Sequence, residues 1–268
     1  MKKVLIIGKR GFIGLHLNNY LKKKKFRRKK ISFKELKKYQ NILNNFDFFI
    51  NSSINRNYIS KKYNEKFDND LKISKLINNH KTIYCFISTR KVYSNKANIN
   101  EKSKLSPKSN YSKNKLITEK KISQILKKNF LILRVSNIIG DTKISKRIHE
   151  TFIDIFHKNI QKGIMFDNGR SFKDFLSIDK FCQILKKIIE IKLTGTYNVS
   201  IGQKVYLNDL ISWLNKFNKK ELKLRKNINF KNESFYLNNR KLMSKIKIQN
   251  SLNELKRFCL RYSKKKFS

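Results

Sequence analysis

The sequence predicts an α/β fold: a doubly wound parallel sheet with a small C-terminal lobe. Three observations lead there. Short continuous apolar runs recur, "VLII" at 4 to 7, "FDFFIN" at 46 to 51, "TIYCFIS" at 82 to 88 and "FLILRVS" at 130 to 136, and a run of this kind, with no alternation, suits a strand buried on both faces of a parallel sheet. Helix-length polar or amphipathic segments separate the runs, giving the strand, helix, strand rhythm of crossover connections. The chain has 268 residues, 39% of them hydrophobic, enough to build one large domain, or a large domain and a small lobe, around a real core.

Taken in order, the first run ends in glycine and leads into "FIGLHLNNYLKK", which is apolar at helical spacing. The dense basic run "KKKKFRRKK" at 22 to 30 reads as the exposed end of that helix and its turn, with the second strand inside "KKISF", ending at Ser32 or Phe33. After Gly140 the rhythm loosens into a helix pattern from about 145 to 160, a glycine-marked turn near "DNGRS", and two strand candidates, "DFLSI" and "GTYNVS". From Ile211 onward the tail reads as helical and strongly basic, and no low-complexity linker or internal repeat interrupts the chain. The expected division is a first domain over 1–140 and a lobe over 141–268, with the strands near 174–178 and 195–200 returning to the first domain.

A formal net charge of +46 would ordinarily point to nucleic acid or an acidic membrane, because dense lysine and arginine concentrate polyanions. Here the lysines run from Lys2 to Lys266, and the chain also favours Asn, Ile, Phe and Tyr while using eight glycines and one proline. That is the pattern of a compositional drift landing on solvated faces, so the charge names no partner and specific nucleic-acid binding is not expected. Cys85, Cys182 and Cys259 lie far apart, without metal spacing or an even disulfide set, and are expected to be reduced and buried. His16, His80, His149 and His157 share no pattern with them, so no metal site is expected. The basic start "MKKVLIIGKRGFIG" breaks its apolar run at Gly8, and no signal peptide or membrane span is visible, which makes a cytoplasmic protein the expectation.

Three of the eight glycines, Gly8, Gly11 and Gly14, sit directly between the first strand and the first helix. A G-x-x-G-x-x-G turn in that place lets the backbone approach a pyrophosphate while the helix N-terminus supplies N–H groups and a positive dipole. A purely structural strand-to-helix turn is the alternative. The flanking strand and helix favour nucleotide binding.

Tyr111 and Lys115 stand four residues apart in "SNYSKNKLITEK", but so do Tyr20 and Lys24, Tyr58 and Lys62, and Tyr262 and Lys266. Spacing alone therefore decides nothing. The setting does: the Tyr111 pair follows a buried strand that ends in "ISTRKVY" and opens a helix after the sole proline, Pro107. At i and i+4 the phenol and ammonium share a helix face, and the positive charge favours tyrosinate, so the tyrosine can exchange a proton with a substrate hydroxyl or carbonyl. Thr89 or Ser88, at the end of the neighbouring strand, could hold the same oxygen.

With these residues in place the chain resembles the extended short-chain dehydrogenase/reductase family, also called the NAD-dependent epimerase/dehydratase family, which acts largely on nucleotide sugars. The likeness runs in family order through "GKRGFIG", "DFFINSS", "FDND", "STRKVY", "YSKNK", "LRVSNIIG", "DNGRSFKDFLSIDK" and "GTYNVSIGQKVYLNDL". It implies a Rossmann-like fold for the first domain, an NAD(P)-binding role for it, and substrate binding by the lobe. It also implies Tyr111 as the acid/base, Lys115 as its electrostatic partner and ribose ligand, and Thr89 as the carbonyl-orienting hydroxyl, four residues before the motif tyrosine, Tyr93. Gly8, Arg10, Gly11, Phe12, Ile13, Gly14, Ser52, Ser53, Asn69, Ser88, Val135 and Ser136 then line the cofactor together with Tyr111 and Lys115. Asn137 falls where the family contacts the sugar nucleotide, and Lys173 takes the slot of an arginine that clamps the substrate diphosphate, supplying the charge without the bidentate fork. The resemblance also implies a homodimer through the helices near 67 to 80 and 107 to 128.

NAD-preferring members place an acid at the end of the second strand, on the ribose 2′-hydroxyl. Here the first acid, Glu35, comes late, and Arg10 resembles the turn arginine of GDP-fucose synthase, an NADPH-using relative. Arg10 with Arg27 or Arg28 could pair a 2′-phosphate, so NADP(H) is expected over NAD(H). The family's 4,6-dehydratases follow the catalytic threonine with an Asp-Glu pair, whereas this chain has Arg90 and Lys91, which disfavours dehydration. An NADPH-dependent reductase of a nucleotide-activated keto-sugar is the first expectation. A sugar-nucleotide epimerase with tightly held NAD is the alternative, and a non-catalytic Rossmann protein binding RNA or another polyanion is a third.

Overall fold

The computed structural model describes residues 2–77, 81–141, 150–227 and 234–268. Their strands are β1 (Lys3–Ile7), β2 (Arg27–Ile31), β3 (Phe48–Asn51), β4 (Ile83–Thr89), β5 (Phe130–Val135), β6 (Asn137–Ile139), β7 (Ile164–Asp167), β8 (Phe172–Lys173), β9 (Phe175–Ser177), β10 (Gly195–Val199), β11 (Val205–Tyr206) and β12 (Lys223–Lys226). Their α-helices are α1 (Phe12–Lys23), α2 (Arg56–Ser60), α3 (Asn69–Ser74), α4 (Asn110–Leu126), α5 (Phe152–Lys162), α6 (Ile178–Ile191), α7 (Leu207–Asn215), α8 (Arg240–Ile246) and α9 (Leu252–Phe267). Short 3-10 helices cover Phe33–Asn45, Glu65–Phe67 and Arg90–Val92.

Six strands form one sheet in the order β10-β5-β4-β3-β1-β2. β1 pairs in parallel with β2 and β3, β3 with β4, and β4 with β5. The chain enters in the interior at β1, steps outward to β2, and returns across β1 to β3. The strand order therefore reverses beside β1, and open α/β sheets bind ligands outside the C-terminal strand ends at such a switch point. This is a Rossmann-like fold, as the apolar runs predict. Those runs are buried because crossover helices cover the sheet: Leu5, Ile7, Phe49, Tyr84, Phe86 and Ile122 form part of one apolar cluster.

The basic run at 22 to 30 departs from its expected role. Lys22 and Lys23 close α1, but Arg27 to Lys30 enter β2, the outermost strand. An edge strand accepts such a sequence because long cationic side chains lay their stems on the sheet, keep their heads in water and deter pairing with another edge. Lys29, half-buried, instead lays its ammonium over the Tyr39 ring, Nζ 3.7 Å from the ring centre.

The two later strand candidates part company. β10 joins the large sheet beside β5, whereas β9 pairs in parallel with β6, which begins two residues after β5 ends. Asp174 anchors the entry to β9 by accepting the N–H groups of Ile201, Gly202 and Leu237 at 3.1, 3.3 and 3.1 Å. The basic tail is helical in α7, α8 and α9 but also holds β12, which pairs in parallel with β7. Four residues with one apolar side chain, "KLRK", are too few for periodicity to betray a strand. The helix pattern from 145 to 160 forms from Phe152, N-capped by Thr151 with Asp154; its residues 145 to 149 lie outside the described residues, as do residues 78 to 80 of the pattern near 67 to 80.

The chain divides into two compact units, Met1–Ser94 with Lys104–Val135 and Cys182–Tyr197, and Asn95–Ser103 with Ser136–Phe181 and Asn198–Ser268. The cysteines are free and buried. Among the described residues no helix is long and apolar enough to cross a membrane, and no group of three or more His, Cys, Asp or Glu is placed to hold a metal. His80 and His149 lie outside the described residues.

Within the first unit one buried ion pair ties α4 to the sheet. Arg134 on β5 donates to Glu119 on α4 through Nε, at 3.2 and 3.1 Å, and Nη2, at 2.7 Å, and through Nη1 to the Tyr93 hydroxyl at 2.8 Å. The Ser88 hydroxyl donates to the same carboxylate at 2.5 Å. Removing the guanidinium strands a buried carboxylate, which costs about 3–5 kcal/mol. Arg134→Met is therefore expected to lower the free energy of unfolding by that amount, read as the shift of a urea transition at unchanged slope.

Candidate active site

The glycine turn lies at the switch point. β1 ends at Ile7, the Gly8 N–H donates to the Ile31 carbonyl at 2.9 Å, and Gly11 donates to the Gly8 carbonyl at 3.1 Å. Gly8 has φ +115, and a Cβ there would stand 2.3 Å from Ser52 Oγ; at Gly14 it would stand 2.4 Å from the Gly8 carbonyl oxygen. Gly11 is the N-cap of α1 and has no side chain with which to cap it, and the first turn, which holds Phe12, Ile13 and Gly14, carries no acidic residue. With no capping side chain and no acid there, the positive end of the helix dipole fits the pyrophosphate of a dinucleotide. The structural alternative is visible directly: Gly8 and Gly14 make room for Ser52, just beyond β3.

The end of β3 gathers three more of the expected residues. Ser52 bonds back to the Ile7 carbonyl with its N–H at 2.7 Å and its hydroxyl at 3.0 Å. The Ser53 N–H and hydroxyl both donate to Asn51 Oδ1, at 2.9 and 2.7 Å, and Asn69 Nδ2 donates to Ser53 Oγ at 3.2 Å. Ser88 and Thr89 end β4 and face different tasks. Ser88 is committed to Glu119, whereas Thr89 N-caps the turn over Arg90–Val92, accepting from the Lys91 N–H at 3.2 Å, so its own proton can still be donated.

Tyr111 and Lys115 lie one turn apart on α4, which starts at the Ser109 capping box and packs on β4. Lys115 is 5% exposed. Its Nζ donates to the Ile87 carbonyl at 2.8 Å, stands 4.3 Å from the centre of the Phe86 ring and 6.0 Å from that of Tyr111. Two of the competing Tyr-Lys pairs have their phenols engaged elsewhere: Tyr58 with Thr118 at 2.6 Å and Tyr262 with His157 Nε2 at 2.6 Å.

Val135 closes β5 in the first unit. Ser136, Asn137 and Lys173 belong to the second. Ser136 is buried, and its hydroxyl finds no hydrogen-bond partner among the described residues, while Asn137 opens β6 and Lys173 pairs with Val205 between β8 and β11.

Two arginines proposed for a 2′-phosphate are misplaced. Register sets Arg27 opposite Lys3 and Arg28 opposite Val4, at the far end of β2 from the glycine turn. Four residues of strand, about 13 Å, separate Arg27 from Ile31, and Arg28 Nε donates to the Asn18 carbonyl at 3.0 Å. Arg10 remains at the turn, exposed. Glu35, late in sequence, folds back as the acidic member of a capping box: its carboxylate accepts the Ser32 N–H at 2.6 Å and lies 3.7 Å from Lys9 Nζ. A carboxylate therefore does stand at the end of β2.

Sequence reasoning missed Asp70, Asn51 and Asp68. Asp70 accepts from Asn51 Nδ2 at 2.8 Å and the Tyr84 hydroxyl at 2.6 Å and lies 3.8 Å from Lys115 Nζ. Asp68 caps α3 through the Leu71 N–H at 2.9 Å and accepts from Thr118 at 2.6 Å. The two acids flanking Asn69 in "FDND" were the visible signal, but acids beside a helix start are ordinarily solvated caps.

Comparison with known proteins agrees with this architecture. The model of the family described as "NAD dependent epimerase/dehydratase family" matches residues 52–200, more than half of the chain. No curated protein matches the sequence. Among solved structures, UDP-N-acetylglucosamine 4-epimerase from Methanobrevibacter ruminantium M1, in complex with UDP-N-acetylmuramic acid, is 17% identical with a TM-score of 0.79, covering 98% of this chain and 97% of its own. RMD from Pseudomonas aeruginosa, complexed with NADPH, is 16% identical with a TM-score of 0.75, covering 99% and 100%. UDP-glucose 4-epimerase from Bifidobacterium longum, in complex with NAD+ and UDP, is 15% identical with a TM-score of 0.75, covering 98% of each chain. These likenesses give the fold, and the family match goes further: the chain belongs to the NAD-dependent epimerase/dehydratase family.

Proposed function

We propose that the protein is an NAD(P)-dependent oxidoreductase of a nucleotide-activated sugar, reducing a keto-sugar with Tyr111 as the proton donor. The observation that carries the proposal is the buried Lys115 ammonium, fixed on the Ile87 carbonyl one helical turn from Tyr111, beside the strand that ends in Thr89. The nicotinamide, when bound, supplies hydride to the carbonyl carbon. Tyr111 gives its proton to the carbonyl oxygen, Thr89 holds that oxygen, and Lys115 steadies the charge left on the phenol and bonds the ribose. The bare N-terminus of α1 takes the pyrophosphate, with Ser53, Asn69, Val135 and Ser136 along the cofactor. Ser52 and Ser88 act from behind: their hydroxyls are spent on Ile7 and Glu119. Asn137 and Lys173 contact the sugar nucleotide, whose chemistry is supported by the UDP ligands of the structurally similar epimerases.

One observation favours a second reading, an epimerase holding NAD. The Glu35 carboxylate at the end of β2 is placed as an NAD-type acid would be, while Arg10 at the turn favours the 2′-phosphate of NADP(H). Fluorescence titration with NADPH and NADH at fixed ionic strength separates them. On the reductase reading NADPH binds more tightly, and Arg10→Ala weakens it by roughly tenfold or more, the worth of a charge-assisted hydrogen bond, without touching NADH. Tighter NADH binding that Glu35→Gln weakens, the amide keeping the helix cap, turns the assignment to the epimerase. Separately, Tyr111→Phe is expected to reduce turnover by about 10²–10⁴-fold while cofactor affinity stays within about twofold. Full turnover in that variant removes Tyr111 from the chemistry, and RNA binding that falls steeply with salt, with no turnover of any sugar nucleotide, would favour the polyanion-binding alternative.

A further inference from the structure

The Asp70 carboxylate has no part in the reaction as written above. It sits on α3 directly after Asn69 and is 4% exposed. A carboxylate so far from water must be compensated or neutralised. Asn51 Nδ2 and the Tyr84 hydroxyl donate to its Oδ1, and the Lys115 ammonium faces its Oδ2. Asp68, the other carboxylate nearby, is taken up by the Tyr63 and Thr118 hydroxyls and the Leu71 N–H. The remaining titratable groups that face Asp70 are Cys85 on β4 and Tyr58 on α2, and burial pushes both up, so both stay neutral. Burial also pushes the Asp70 carboxyl up to about 6, Lys115 pulling against it and Asp68 adding to the push. The two donors on Oδ1 and the ammonium facing Oδ2 favour its ionised form.

Lys115 and Asp70 then form a pair without net charge. A lone ammonium 6.0 Å from a phenol ring acts on it with its whole charge, whereas an ammonium with a carboxylate 3.8 Å away acts as a dipole, whose influence falls off faster. We propose that Asp70 is a positioning residue for the acid–base pair: it holds the Lys115 ammonium beside the Ile87 carbonyl and offsets part of its charge, so that Tyr111 holds its proton until a carbonyl oxygen takes it. The inference rests on the reading of Tyr111 as proton donor and deepens it. Ketone reduction starts from the protonated phenol, the form this pairing keeps available. In that reduction NAD(P)H is oxidised as its hydride adds to the carbonyl carbon, the Tyr111 proton goes to the oxygen, and solvent returns that proton afterwards.

The test reads Tyr111 before any substrate is added. Protein labelled with carbon-13 at tyrosine Cζ, with the Tyr111 signal assigned by its loss in Tyr111→Phe, is titrated as wild type, Asp70→Asn and Tyr84→Phe. In Asp70→Asn the midpoint of the Tyr111 signal is expected to fall by about one pH unit, a tenfold change in the deprotonated fraction. Tyr84→Phe removes one of the two hydrogen-bond donors that keep Asp70 ionised and should move it the same way by less. An unmoved midpoint in Asp70→Asn overturns the proposal, and so does an unmoved midpoint in Tyr84→Phe if the first variant does not fold. NADPH oxidation with a thymidine-diphosphate 4-keto-6-deoxyhexose as the probe gives the second readout, in which the alkaline limb of the rate profile should move with the signal while KM holds. A moved signal without turnover in the wild type sinks the reductase reading and leaves Asp70 in its role, whereas turnover with an unmoved signal does the reverse.

Discussion

A buried ammonium must be held, and much of the first unit is arranged around holding that of Lys115. The Ile87 carbonyl accepts one of its protons, Asp70 faces it, and the Phe86 ring lies beneath it. For this to work α4 has to sit on β4 in one register, and its inward face spends each turn on a fixed partner. Asn114 donates to the Tyr58 and Lys61 carbonyls at 2.8 and 2.9 Å, Thr118 to Asp68 at 2.6 Å, and Glu119 receives Arg134 and Ser88. These bonds reach β4, β5, α2 and α3 at once, so a shift of the helix would leave several buried polar groups unsatisfied.

The glycine turn is a second, independent constraint. Ser52 fills the volume that a side chain on Gly8 or Gly14 would need, and its two bonds to Ile7 hold the ends of β1 and β3 together where the strand order reverses. The same close approach leaves the first turn of α1 without a capping side chain. Close packing of the strand ends and an uncapped helix start thus share the same absence of Cβ atoms.

The charge of +46 is accommodated without becoming a feature of this site. The lysines of β2 lie on an outer strand, and two buried cations of the first unit, Lys115 and Arg134, each face a buried acid. At both of these positions the counter-charge offsets a desolvation cost that would otherwise exceed what packing returns.

Much of this was legible in the residues. The apolar runs give β1, β3, β4 and β5, the three glycines give the turn after β1, and Pro107 marks where α4 begins, which separates Tyr111 and Lys115 from the other pairs at the same spacing. These are local signals: continuous burial, positive φ and helix capping are written within a few neighbouring positions. What the tertiary structure decided depends on residues far apart in sequence. Parallel register sends Arg27 and Arg28 to the wrong end of β2, a capping box carries Glu35 back to Ser32, and β12 exists only because β7 offers it an edge. Asp70 is the clearest case. As a letter it is one more acid at a helix start, and only the packing of α3, α4, β3 and β4 takes it out of water and sets it against Lys115, since burial belongs to the whole fold and not to a stretch of chain.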